Sequence, residues 1–208
     1  MIPAASNPDR SIYVIDDDAA VRDSLQTLLE GAGMAVQTFD SAEAFLARFD
    51  GGLSGCIVSD MRMPGMTGID LQKVLRERSG ALPLIVVTAH GDIDTAVMAM
   101  KSGAHDFIEK PYKEERLLGA VRDALDLEER QRAARAQASE IAARAATLSQ
   151  RQRQVMDLVV DGLPNKEIAV RLGISARTVE IYRAWVMERM GARNLAELIR
   201  LALQLRAS

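Results

Sequence analysis

The sequence predicts an α/β domain on a parallel sheet, joined by one long helix to an all-α domain. Three observations predict it. Through residue 126, short apolar or β-branched runs alternate five times with segments of helical spacing. From Glu114 to about Ala146 only Gly119 interrupts a run rich in good helix formers. The charge then changes sign. Residues 1–126 carry 12 Lys and Arg against 20 Asp and Glu, net −8, and residues 127–208 carry 14 against 9, net +5. An acidic half and a basic half imply two tasks, and the basic half is the one suited to nucleic acid.

Ser11–Ile15 is the first strand, and Ala19–Gly31 is a helix with Val21, Leu25, Leu28 and Leu29 on one face and glycine at its end. Met34–Phe39 is the second strand. Ser41 caps a helix running to Phe49, with Glu43 favourably placed in its first turn. Cys56–Ser59, Leu84–Thr88 and Asp106–Glu109 are the remaining strands, separated by helices over Ile69–Ser79 and Asp94–Ser102; a fifth helix begins near Glu114. Five βα units specify a parallel sheet covered on both faces. The flavodoxin-like strand order 2-1-3-4-5 places a ligand crevice at the carboxyl ends of strands one and three.

The fifth helix does not stop where a domain helix should. Glu128–Arg132 and Glu140–Arg144 are i,i+4 pairs in the favourable orientation. The helix is read either as a solvated link or as one that pairs with its twin in a dimer. Beyond Leu148 the helices shorten. Ser149-x-x-Gln152 is a capping box opening Arg151–Asp161. Lys166–Leu172 and Ala176–Met190 flank Gly173-Ile174-Ser175, a helix-turn-helix arrangement, and Leu195–Leu205 closes the domain. Ile168, Ala169, Leu172, Ile174, Val179 and Val186 are spaced to pack the two helices, with Trp185 read as core or dimer contact. The predicted divisions are 10–126, a helical linker 127–146, and 147–208.

Composition excludes several classes. The chain is 48% hydrophobic and 26% charged, ordinary for a globular protein. The longest apolar run, Leu84 to Ala89, is far below the roughly 20 residues of a membrane span. MIPAASNPDR lacks the basic-then-apolar build of a secretory leader. The single cysteine, Cys56, excludes an intrachain disulfide and reads as core packing. These features suit a reducing cytoplasm.

Chemistry gathers at the strand ends. Asp16, Asp17 and Asp18 follow strand one, and Asp60 follows strand three, its neighbour in the sheet. Clustered carboxylates raise one another's pKa unless a cation relieves them, and an oxygen-only set on a short loop suits Mg²⁺. Strand four ends in Thr88, before Ala89 and His90, and strand five ends at Lys110-Pro111. A carboxylate nucleophile, a metal, a hydroxyl and a lysine together make a phosphoryl-transfer site. An aspartyl phosphatase would carry D-x-D-x-T/V at strand one; Asp16-Asp17-Asp18-Ala19-Ala20 does not.

VIDDD, VSDMRMPGMTG, VVTAHGD and GAHDFIEKP resemble the motifs of the receiver domain of two-component response regulators, over residues 11–126. The resemblance implies that Asp60 accepts a phosphoryl group from a phosphohistidine of a sensor histidine kinase. It implies Mg²⁺ held by Asp16, Asp17, Asp60 and the backbone carbonyl of Arg62. Thr88 and Lys110 would contact the phosphoryl oxygens, Phe107 would be the switch aromatic that repacks with Thr88, and Lys110–Pro111 would be cis. Asp18 stands where many relatives carry Glu. Residues 148–206, with LSQRQRQVMDLVVDGLPNKEIAVRLGISARTVEIYRAWVMERM, resemble the LuxR/NarL/FixJ helix-turn-helix output domain, closest to FixJ-type regulators. Ala176–Met190 would then be the recognition helix in the major groove of double-stranded DNA. Asn165, Lys166, Arg177, Thr178 and Arg183 are suited to phosphates, while Glu180, Ile181 and Ala184 fall where the family reads bases. Glu180 is also placed for a surface ion pair with Arg183. The resemblance further implies a homodimer on phosphorylation, contact with RNA polymerase, no membrane, and no turnover beyond the domain's own phosphorylation and dephosphorylation.

Overall fold

The computed structural model describes residues 10–49, 51–78, 82–89 and 93–207. Residues 1–9, which hold most of the stretch read for a leader, lie outside them, as do Ser79 and His90. The chain forms two compact units that divide between Gln131 and Arg132.

In the first unit β1 (Arg10–Ile15), β2 (Val36–Phe39), β3 (Ser54–Asp60), β4 (Leu84–Thr88) and β5 (Asp106–Glu109) form one parallel sheet, ordered β2-β1-β3-β4-β5 as predicted. Side chains alternate across each strand, so each apolar run feeds two cores. Tyr13, Ile15, Ile57, Leu84 and Val86 meet α2 (Ala42–Arg48), α3 (Gly68–Glu77) and α4 (Ile93–Lys101) through Phe45, Leu71, Leu75 and Ala99. Ile12, Val14, Val58, Ile85 and Val87 meet α1 (Ala19–Gly31) and α5 (Glu114–Ala146) through Leu25, Leu29, Leu117 and Val121.

β3 begins two residues before the predicted Cys56. Glycine weakens a strand interior, but Gly55 carries the strand onward at φ +130°, and a Cβ there would lie 1.9 Å from the Ser11 carbonyl oxygen. Only glycine permits that approach. α3 likewise starts at Gly68 rather than Ile69, because Thr67 caps it by accepting from the Asp70 amide; a Cβ at Gly68 would sit 2.7 Å from the Asp60 carbonyl oxygen.

α5 runs unbroken for 33 residues. Glu128, one turn past the last apolar contacts with the sheet, is only 1% exposed. Its carboxylate accepts from the Ser54 hydroxyl at 3.3 Å and lies 3.8 Å from Arg10 Nε. Residues 131–137 are exposed on all sides. Ile141 and Ala145 are buried in the core of the second unit, and the predicted Glu140–Arg144 pair forms at 2.6 Å.

The second unit continues with α6 (Gln150–Val160), α7 (Asn165–Leu172), α8 (Ala176–Met190) and α9 (Leu195–Ala207). The Ser149–Gln152 capping box opens α6. Gly173 ends α7 in the left-handed region, and the Ser175 hydroxyl accepts from the Thr178 amide to open α8. Ile168, Ala169, Val179 and Val186 are buried where the two helices pack, with Leu172 and Ile174 partly buried beside them.

Candidate functional site

Asp16, Asp60 and Lys110, at the ends of β1, β3 and β5, meet in one crevice. Asp16 directly follows β1 and is 3% exposed. Its Oδ1 accepts from the Asp18 amide at 3.0 Å and its Oδ2 from Lys110 Nζ at 3.3 Å. Asp60 closes β3, with Oδ1 3.3 Å from the same Lys110 nitrogen and Oδ2 accepting from the Arg62 amide at 2.7 Å. Thr88 closes β4 at 1% exposure, and its carbonyl accepts from the Lys110 amide at 2.8 Å, fixing the start of the loop that carries the lysine. The Lys110–Pro111 bond is cis. Phe107, in β5, is half-buried against the core on the α2–α4 side of the sheet.

The electrostatics centre on one ammonium between two carboxylates. Burial alone would pull Lys110 down, but Asp16 and Asp60 outweigh it and hold its pKa above the ordinary lysine value. Burial pushes Asp16 up, and the Asp18 amide and Lys110 offset that only in part, with Asp60 adding to the rise. One cation therefore does not fully offset the burial of Asp16.

The three aspartates of strand one separate into different roles. Asp16 faces the crevice, Asp17 is exposed, and the Asp18 carboxylate accepts from the Ala20 amide at 2.8 Å as the N-cap of α1. Among the described residues no three His, Cys, Asp or Glu side chains group closely enough to hold a metal between them. Mg²⁺ nonetheless needs only one or two carboxylates, its other positions being filled by water and carbonyl oxygen. Asp16 and Asp60, two carboxylates beside the same ammonium and donating only oxygen, fit that requirement.

Three supporting residues escaped the sequence. Arg22 of α1 donates to the Asp16 carbonyl at 2.6 Å. Glu43 of α2 accepts from the Met66 amide at 2.9 Å, tethering the loop beyond Asp60. Gly68 lets α3 close on the Asp60 carbonyl. Arg22 had a signal, a basic residue soon after an acidic loop; nothing in the sequence spacing links Glu43 to Met66.

The second unit presents α8. Arg177, Glu180, Ile181 and Ala184 are exposed, as is Lys166 at the start of α7, with Asn165, Thr178 and Arg183 half-buried. Two expectations need correction. Glu180 pairs with Arg177 at 3.0 Å rather than with Arg183, which donates to Asn165 Oδ1 at 2.7 Å and ties α8 to the start of α7. Trp185 is not core. It is 46% exposed, because Val179, Val186 and Met190 already occupy the inward stripe of the helix.

A parallel β2-β1-β3-β4-β5 sheet with acids and a lysine at its carboxyl edge, followed by a helix-turn-helix unit, defines the class of response regulators that end in a DNA-binding domain. Residues 12–122 match the response regulator receiver domain, and residues 146–202 match the bacterial regulatory proteins of the luxR family. The chain is 50% identical over 193 residues to the transcriptional regulatory protein FixJ of Bradyrhizobium diazoefficiens, covering 93% of this chain and 94% of that protein. It is 41% identical over 197 residues to the response regulator TodT of Pseudomonas putida, covering 95% and 87%. Among solved structures, the response regulator StyR superposes with a TM-score of 0.84 at 42% identity, covering 94% of this chain and 99% of that one. Full-length FixJ from B. japonicum gives 0.59 at 48% identity, covering 98% and 100%. The chain belongs to the FixJ-like, LuxR-type family of two-component response regulators. It is a phosphorylation-dependent transcriptional regulator. Receiver domains as a class use Mg²⁺ and take their phosphoryl group from histidine kinases, and the luxR-family domain implies DNA as the second partner. Among the described residues no helix is long and apolar enough to cross a membrane.

Proposed function

We propose that Asp60 is the phosphoacceptor, and that its phosphorylation drives dimerisation and promoter binding. The observation that carries the proposal is the Asp60 carboxylate fixed at the tip of β3, one oxygen held by the Arg62 amide and the other beside Lys110. A carboxylate oxygen of Asp60 attacks the phosphorus of a phosphohistidine on a sensor histidine kinase. The P–O bond forms as the P–N bond breaks, and the imidazole leaves with the bonding pair. Lys110 and Thr88 stabilise the phosphoryl oxygens as charge builds on them. Asp16 and Asp60, with Asp17 and the Arg62 carbonyl reached directly or through water, would hold Mg²⁺, which would supply charge neutralisation. The chain catalyses no turnover beyond its own phosphorylation and dephosphorylation.

Phosphorylation replaces the single negative charge of the Asp60 carboxylate with about −2 on the phosphoryl group, and its three oxygens draw Thr88 and Lys110 toward them. Phe107 repacks with Thr88, and the 92–126 face, with the exposed Ile93, Val97 and Met98 on α4, becomes the contact between two copies. The dimer places two copies of α8 on a palindromic site, with Asn165, Lys166, Arg177, Thr178 and Arg183 on phosphates and Glu180, Ile181 and Ala184 on base edges. Residues 10–126 serve as receiver, 127–146 as helical linker and 147–208 as DNA-binding domain. RNA polymerase is the downstream partner and the cytoplasm the site of action.

Loading the chain with a beryllium fluoride phosphoryl mimic and Mg²⁺ should raise its solution mass and its DNA affinity together. An Asp60→Ala chain that still responds to the mimic refutes the mechanism.

A further inference from the structure

Trp185 is a large apolar side chain that α8 leaves in solvent. At about 3.6 residues per turn, Ile181 stands opposite the stripe buried through Val179, Val186 and Met190, and Trp185 lies about 40° round from Ile181. Ile181 is itself 41% exposed. The two therefore form an apolar strip on the outward side of the helix. Trp185 is also one turn, about 6 Å, further along the helix than Ile181. The Tyr182 ring meets it edge-on with centroids 5.6 Å apart, which restrains the indole.

The two flanks of the outward face differ. One carries Glu180 and Arg183, and Arg183 is tied to Asn165 at the start of α7. The other carries Thr178, Tyr182 and Trp185, away from that tie. A helix lying in a major groove meets base edges with its N-terminal half, and its flanks face the two phosphate walls. Trp185, further along and off the outermost line, falls toward a wall rather than the floor. An indole there offers one N–H donor and a flat apolar face, the two features that a phosphate oxygen and its neighbouring deoxyribose accept. Residues 147–208 carry 10 Lys and Arg against 6 Asp and Glu, a net of +4, which favours an anionic polymer over another apolar surface as the occupant of this face.

We propose that Trp185 is a DNA-backbone contact. Its indole N–H donates to a phosphate on the wall opposite the one met by Asn165 and Lys166, and its ring packs on the adjoining sugar. This rests on the reading of α8 as the recognition helix and adds to it a residue that sets affinity without reading sequence.

The chain has a single tryptophan, so its emission reports this residue alone. The test uses the full chain loaded with beryllium fluoride and Mg²⁺, titrated with a duplex recovered by selection from a random pool. Emission should change in step with binding. Trp185→Phe keeps a ring and removes the N–H; it should weaken binding about tenfold, by the same factor for the selected duplex and for its single-base variants. Ile181→Ala, by contrast, should change the ranking of those variants. Binding that leaves the emission unchanged overturns the inference, as does wild-type affinity in Trp185→Phe or a loss confined to one base pair. Each of these leaves the DNA-binding reading standing. A wild-type chain that binds no duplex removes that reading, and the inference with it.

Discussion

Replacing Lys110 with Met should expose the charge balance of the crevice. The ammonium lies 3.3 Å from both Asp16 and Asp60. At an effective dielectric near 20, each attraction is worth roughly 5 kcal/mol before desolvation is counted. Lys110 is 24% exposed, so solvent screening and its own burial cost remove much of this. The expected loss of stability is about 2 kcal/mol, measured by urea unfolding without Mg²⁺. Mg²⁺ should bind the variant more tightly than the wild type, because it no longer competes with an ammonium for the same oxygens. Phosphoryl uptake should slow by about 10²-fold, the usual effect of removing one oxyanion-stabilising group. The pH dependence has a definite sign. Lys110 has a raised pKa in the fold, so its contribution is complete below the ordinary lysine value of about 10.4 and is lost as pH rises through the folded value. The stability gap should therefore hold constant through neutrality and close in strong alkali. Equal stability and equal Mg²⁺ affinity in the two proteins would refute the reasoning.

Arg116 makes a bidentate pair with Asp106 at 2.7 and 2.8 Å, joining α5 to β5. Burial raises the Asp106 pKa, but Arg116 and the Phe107 amide outweigh it and leave the carboxyl below its usual range. Its contribution is present above about pH 3.9 and lost as pH falls through the folded value. Arg116→Ala should cost about 1 kcal/mol at pH 7 and move the acid-unfolding midpoint upward; an unmoved midpoint contradicts this. Gly55→Ala should cost more than about 3 kcal/mol, read as a large drop in the melting temperature of the first unit, since the new Cβ meets the Ser11 carbonyl at 1.9 Å. A melting temperature within a degree or two of wild type would show that β1 and β3 separate cheaply.

The sheet was legible because its strands are short runs bounded by turn residues and five βα units imply a parallel sheet, while its order came from the flavodoxin-like fold class. Asp60, Asp16 and Lys110 were legible as a group because strand order alone brings their strand tips together. The start of β3 was not legible, because glycine weakens a strand interior and only the neighbouring strand reveals why one is required at 55. Glu128 looked like surface charge on a linking helix, and its burial depends on Arg10 and Ser54, more than 70 residues away in sequence. Trp185 was read as core or dimer contact, and the core half of that reading fails because α8 carries apolar residues on more than one side, so periodicity alone does not say which stripe is inward. The Asp18 cap was masked by the two acids before it, three adjacent identical residues with three different surroundings.

The central claim is that Asp60 alone carries the phosphoryl group. The most direct test is to phosphorylate the chain from a histidine kinase with Mg²⁺, reduce the acyl phosphate with borohydride, and locate the resulting homoserine by peptide mass spectrometry. The account predicts homoserine at position 60 and nowhere else, and none in Asp60→Asn. Homoserine at Asp16 or Asp17 with position 60 intact would contradict it.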